Sequence, residues 1–254
     1  MLAGSASCYH DIRNSGQRYS TSLTIQTRDM AKASQESASK ITPEPRWPVV
    51  LAMLAAGALP FALPRSLSVL PQWIVASLVF VLIVAAAITH TVNKVRLNQI
   101  FGFTLLGVLT IEQLFSLVRL IVALPQHTEV AERLLVSAAV LWVTNVIIFA
   151  IWYWRLDAGG PNARDTRLAH VRGAFLFPQM QIIAPGSDGK SIAEVEGWHP
   201  QFVDYLALSF YTGTAFAPTD VPVLSRWAKL MMMVQAVMSL TTVALLAGRA
   251  VNIL

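Results

Sequence analysis

An all-α, polytopic membrane helix bundle with a C-terminal hairpin is the fold class that three observations predict. The chain is 55% hydrophobic and only 13% charged, against roughly 25% charged in soluble domains. Its apolar runs approach the ~20 residues that a helix needs to cross the hydrocarbon core. The stretch 202–254 reads as a short apolar helix (Phe202 to Tyr211), a polar break and a long hydrophobic helix (Ser225 to Leu254).

Taken in order, residues 1–46 are polar, rich in Ser, Thr and Gln, and lack apolar periodicity. They read as a disordered cytoplasmic tail. No apolar core of a signal peptide precedes Trp47, and Met30-Ala31-Lys32 makes a plausible natural start, so residues 1–29 are expected to be an over-extended reading frame. Residues 47–155 should form a four-helix transmembrane bundle. Arg46 and Trp47 mark a membrane edge, and the first run reaches Leu63. The second covers about Val69 to Ile88 and the third about Ile100 to Leu124. The fourth, about Leu134 to Trp154, ends on the interfacial belt Trp152-Tyr153-Trp154-Arg155. Residues 156–200 read as a polar loop, long enough for a small cap, with Phe175-Leu176-Phe177-Pro178 pinning it to the membrane face.

Orientation follows from basic residues near span ends. With the N-terminus inside, Lys32, Lys40, Arg46, Lys94, Arg96, Arg155, Arg164, Arg167 and Arg172 fall in the cytoplasm, against Arg65 and Arg133 opposite. N-terminus cytoplasmic is therefore expected. Four spans return the chain to the cytoplasm. The run Phe202 to Ala217 is then a re-entrant loop from that side or a complete further span, unless the number of preceding spans differs from four. Irregular backbone at membrane depth is tolerated only where protein buries it or it lines a wet cavity.

The hairpin carries a resemblance. Asp204-Tyr205-Leu206-Ala207-Leu208-Ser209-Phe210-Tyr211-Thr212-Gly213-Thr214-Ala215, then Pro218-Thr219-Asp220 and Ser225-Arg226, resembles the pore module of the potassium-channel superfamily. The chain is also similar to a family of bacterial multi-pass membrane proteins with a channel-like C-terminal end. That likeness extends through Trp152 to Asp157, Gly159-Gly160-Pro161, Phe175 to Gln179 and Ala250 to Leu254. The resemblance implies a pore helix, a re-entrant loop and an inner helix over residues 201–254. It also implies a bacterial inner (plasma) membrane location and a homo-oligomer, a tetramer by analogy. Monovalent cations are the implied ions. The glycine-bearing potassium filter is replaced by Thr214-Ala215-Phe216-Ala217-Pro218, so potassium selectivity does not carry over. The pore-loop candidates are Thr212, Gly213, Thr214, Ala215, Phe216, Thr219 and Asp220. The threonines would be oxygen donors, Phe216 a hydrophobic constriction and Asp220 a cation attractor or a turn cap.

Polar residues within the spans are Glu112, Arg119, Asn145 and Arg249. Glu112 and Arg119 lie on one helix face two turns apart. They read as a structural pair, bridged by Asn145 or Gln113, or as part of a transport path. Arg249 is expected to snorkel or meet the C-terminal carboxylate. Met231-Met232-Met233 should fill packing gaps. Cys8 is the single cysteine, so there is no intrachain disulfide or thiolate metal site. No Walker loop, dinucleotide fingerprint, zinc-protease or esterase motif occurs, so nothing points to an enzyme or a cofactor. The net charge of +5 fits basic cytoplasmic loops better than nucleic-acid binding. Three functional readings stay open: a weakly selective cation pore, a non-conducting scaffold or sensor, and a small-solute transporter.

Overall fold

In a computed structural model the chain is described over residues 44–64, 67, 71–91, 95–126, 131–167, 170, 173–214 and 220–253. The expected tail up to residue 43, the candidates Ala215, Phe216 and Thr219, and the side chain of Arg249 lie outside the described residues. Among the described residues the elements of regular structure are helices. The helices are α1 (Trp47–Ala58), α2 (Gln72–Thr91), α3 (Val95–Gln126) and α4 (Ala131–Leu156). Then come three short helices, α5 (Pro161–Arg164), α6 (Pro178–Gln181) and α7 (Ile192–Glu196), and finally α8 (Phe202–Thr214) and α9 (Arg226–Ile253).

Three stretches are long and apolar enough to cross a membrane: Arg96–Ala123, Glu132–Gly159 and Arg226–Gly248. Trp47–Ala62 and Ala76–Ala85 are shorter apolar helices. The first expected span is thus α1 followed by a 3-10 turn over Leu59–Ala62. Pro48 begins α1, where its missing N–H costs nothing. Gly57 sets the α1–α2 approach, because a Cβ there would lie 2.6 Å from Val79 Cγ1.

The bundle is arranged around α4. Of its membrane-length window 61% is buried, against 44% for α3 and 22% for α9. Glu132 in its first turn and Arg155 in its last match the helix dipole. Leu105, Leu106 and Leu109 of α3, Ile148, Phe149 and Ile151 of α4, and Phe202, Tyr205 and Leu208 of α8 form one apolar core. A second, smaller cluster joins Leu63, Leu67, Leu120, Leu134, Ala138 and Leu141. On α9, Leu230, Met233, Val234, Val237 and Leu240 are exposed. Met231 and Met232 pack against the core, whereas Met233 faces outward.

Between α4 and α8 the expected polar loop is a small ordered cap. Ser191 and Glu194 close a reciprocal capping box on α7. Single antiparallel bridges pair Phe175 with Val223 and Ile183 with Ser191. Of the expected apolar pin, Phe175 and Phe177 are buried within the protein. Phe175 packs edge-on against Tyr153, Tyr205 and Trp227, and Phe177 against Trp198 and Tyr205.

Candidate functional site

The hairpin is held at two levels. At the cap, Asp157 is wholly buried just past the end of α4. Its Oδ2 accepts the Tyr205 hydroxyl at 2.7 Å, and its Oδ1 accepts the Ala174 N–H at 2.5 Å. His170 Nε2 lies 3.2 Å from the same carboxylate. A side chain at Gly173 would come within 2.5 Å of His170 Nε2, so only glycine lets the chain pass. Arg164, equally buried, donates to the carbonyls of Trp154 and Asp157 at 2.7 and 3.0 Å. It pairs with Glu44 at 3.3 Å and stacks over Tyr205. Glu44 also accepts the Trp154 indole N–H at 2.7 Å, and Arg46 bonds Asp165. The start of the helical region, the end of α4, the cap and the first turn of α8 are thereby one polar junction. The Asp204 carboxylate accepts the Gln201 N–H at 2.7 Å, an acid placed at the positive end of α8.

The second level lies among α4, α8 and α9. Gln235 of α9 is fully buried. Its Nε2 donates to the carbonyl and the hydroxyl of Ser209, both at 2.8 Å. Its Oε1 accepts the Tyr153 hydroxyl at 2.5 Å, and its carbonyl accepts Asn145 Nδ2 at 3.4 Å. The Ser209 hydroxyl in turn donates to the Val146 carbonyl at 2.7 Å. One turn further along α8, the Gly213 carbonyl accepts the Trp142 indole N–H at 3.2 Å and the Ser239 hydroxyl. A Cβ at Gly213 would sit 3.2 Å from Val146 Cγ2 and 3.4 Å from Ser239 Oγ. Small residues at close helix contacts, with hydroxyls and amides bonding across, are the glue expected inside a bilayer.

Both partners of the Gly213 carbonyl sit near the middle of their helices, Trp142 in α4 and Ser239 in α9. The first turns of α8 are joined to the cap through Tyr205. The chain is back at the cap by Pro222 and Leu224, whose backbones bond Leu176 and Ala174 at 2.9 and 2.8 Å.

The predicted residues fall in different places. The Thr212 hydroxyl donates to the Leu208 carbonyl at 2.8 Å and the Thr214 hydroxyl to Tyr211 at 3.0 Å, so both fold back onto their own helix. Gly213 is buried and accepts the two bonds above. Asp220 is exposed beside Val221 and Pro222. Glu112 is buried and Arg119 exposed on the same helix, α3. Asn145 bonds Gln235, and Gln113 Nε2 bonds the Leu141 carbonyl at 2.8 Å. These two amides join α4 to α9 and α3 to α4. Sequence reasoning missed Trp142, Ser209, Gln235 and Ser239. The available signal was the four-residue spacing of Ser209 with Gly213 and of Gln235 with Ser239. Asp157 and His170 fall within the stretch 156–200 expected as a polar loop.

Among the described residues no group of three or more His, Cys, Asp or Glu side chains could hold a metal ion. The described fold is helical, and three of its helices have the length and apolar composition needed to cross a membrane. No family model, curated protein or solved structure matches the chain.

Proposed function

We propose that the chain is a multi-pass membrane protein whose C-terminal hairpin is re-entrant. Several copies together would form a weakly selective pathway for monovalent cations. The observation that carries this reading is the depth at which α8 ends, with its last turn bonded to the middles of α4 and α9. A helix C-terminus carries partial negative charge, and at mid-depth it favours a cation over an anion. One hairpin cannot surround an ion, so the reading requires an oligomer. The outward apolar face of α9 suits either lipid or neighbouring copies. Lacking filter glycines, the pathway should separate potassium from sodium poorly.

A second reading is favoured by the bonds at Gly213. Its carbonyl is already occupied by Trp142 and Ser239, and the Thr212 and Thr214 hydroxyls donate within the helix. A hairpin so committed also suits a non-conducting packing or sensing module.

Cation flux into liposomes carrying the purified, oligomer-checked protein separates the two. Wild type is compared with Phe216→Ala, Phe216→Ser, Asp220→Asn and a Gly-Ser replacement of residues 212–220. The pore reading expects potassium and sodium flux at similar rates, raised by the Phe216 changes and abolished by the replacement. No flux from any folded oligomer leaves the non-conducting reading.

A further inference from the structure

A cavity of about 400 Å³ opens between α1, α2, the start of α3 and the end of α4. Its walls include Val49, Met53, Ile83 and Phe103, and its polar end includes Arg46 and Arg155. This is within the size range of small-molecule sites, roughly 300–1,000 Å³.

Arg155 is the unusual member. Only 9% of it is exposed. Its Nη2 donates to the Asn98 carbonyl at 2.7 Å, and its guanidinium lies 5.4 Å from the Phe103 ring centre. Its Nε is buried without a hydrogen-bond partner. A Cβ at Gly102 would lie 1.8 Å from Nη2, so the guanidinium occupies space that only glycine leaves. Among the described residues no carboxylate pairs with it: Glu44 pairs with Arg46 and Arg164, and Asp165 with Arg46. Arg46 Nη1, at the same cavity, makes no hydrogen bond and faces Glu44 Oε2 at 3.8 Å, so Arg46 adds positive charge there while Arg155 is the guanidinium without an anion. A buried guanidinium with no anion is costly to desolvate, and a guanidinium fork matches phosphate oxygens.

We propose that this cavity binds an anionic phospholipid, its phosphate against Arg155 and Arg46 and an acyl chain along Val49, Met53, Ile83 and Phe103. The walls decide between a lipid and a free anion. Inorganic phosphate would satisfy the arginines and leave the apolar part unfilled. The neighbouring outer faces of α1 and α3, with Trp47, Leu51 and Ile100 exposed, are suited to lipid. This inference requires the chain to sit in a bilayer, but not that the hairpin conducts.

The test uses the full chain, delipidated in a neutral detergent. It is offered phosphatidylglycerol, phosphatidylcholine or inorganic phosphate, with lipid retention read by native mass spectrometry and melting temperature in parallel. Phosphatidylglycerol should be retained and raise the melting temperature, and the other two should do neither. Arg155→Gln should weaken phosphatidylglycerol retention about tenfold, the loss of one charge-assisted contact. Met53→Trp, which fills the cavity and keeps the arginines, should weaken it too, and Arg226→Gln at the exposed start of α9 should not. If Arg155→Gln fails to fold, Met53→Trp with Arg155→Lys decides the matter, the lysine variant retaining part of the binding. Equal retention of both lipids, a full shift with phosphate alone, or undiminished retention in Met53→Trp would overturn the proposal.

Discussion

Gln235 holds Ser209 twice, its amide nitrogen donating to both the carbonyl and the hydroxyl at 2.8 Å. One side chain thereby fixes the depth of α8 against α9, while Tyr153 and Asn145 fix α9 against α4.

Replacing Gln235 by Leu should therefore loosen three helices. It strands the Tyr153 hydroxyl and removes both bonds to Ser209. A buried group left unsatisfied costs ~1–3 kcal/mol in water-soluble proteins, and interhelical bonds within membranes average nearer ~0.6 kcal/mol. A loss of about 2 kcal/mol is expected, read as a lower denaturation midpoint in mixed micelles. Ser209→Ala should cost about 1 kcal/mol. In the double variant the losses should fall short of additivity, since the two side chains share one contact.

Much of the bundle was legible because hydropathy alone marks a helix that must satisfy its own backbone. The expected fourth span, about Leu134 to Trp154, lies within α4, which extends outward to Ala131 and Leu156. The extra turns carry Glu132 and Arg155, charged residues that a hydropathy window trims. The polar interior was not legible. Gln235 and Ser239 sit in a run that reads as uniform apolar helix, and what they meet depends on how deeply α8 is set. Arg155 reads as one member of an interfacial belt, and it turns inward only because Gly102, far away in sequence, leaves room. Asp157 gathers Tyr205, Ala174 and His170 from separate segments, a meeting with no local pattern.

Asp157 should be the least replaceable residue of the cap. Its carboxylate serves Tyr205 and Ala174 with no exposure to water. Asp157→Ala removes both acceptors and leaves His170 facing a gap, and a loss of about 3 kcal/mol or more is expected. Tyr205→Phe should cost about 1 kcal/mol, because the carboxylate keeps its backbone donor. Yield of monodisperse protein and thermal melting in detergent would rank the variants. A Tyr205→Phe protein as unstable as Asp157→Ala would show that the hydroxyl, not the carboxylate, anchors α8.

The cap should also weaken on acidification. Burial, reinforced by nearby His170, pushes the His199 imidazole below its ordinary value near 6.5. The folded chain resists a proton that the unfolded chain accepts. The unfolded state therefore binds more protons between the depressed value and 6.5, and stability rises with pH across that window. The contribution is complete above 6.5 and declines as pH falls through it. Intrinsic tryptophan emission during denaturation at pH 7.5 and 5.5 should show a lower midpoint at the acid value. His199→Gln should shrink the difference. An unchanged pH dependence in that variant would assign the effect to other groups.

The topology of the hairpin can be read chemically. Phe175 bridges Val223, so the cap and the start of α9 share one end of the bundle. Glu132 lies at the opposite end of α4, a helix of 26 residues, and thus ~36 Å from Leu156 at ~1.5 Å per residue. A re-entrant hairpin puts Asp220 on the same side as Ser187 and on the side opposite Glu132. Single substitutions Ser187→Cys, Asp220→Cys and Glu132→Cys, each in a Cys8→Ser background, are treated with an impermeant thiol reagent on intact cells and on inverted vesicles. Glu132 and Asp220 are exposed and Ser187 is half-buried in a turn between exposed neighbours. Ser187→Cys and Asp220→Cys should label together from one side, and Glu132→Cys from the other. With the basic residues setting the cytoplasmic face, the shared side should be the one reached only in inverted vesicles. Labelling of Asp220→Cys together with Glu132→Cys, and apart from Ser187→Cys, would mean that the run 202–217 crosses completely, and the re-entrant reading would fail with it.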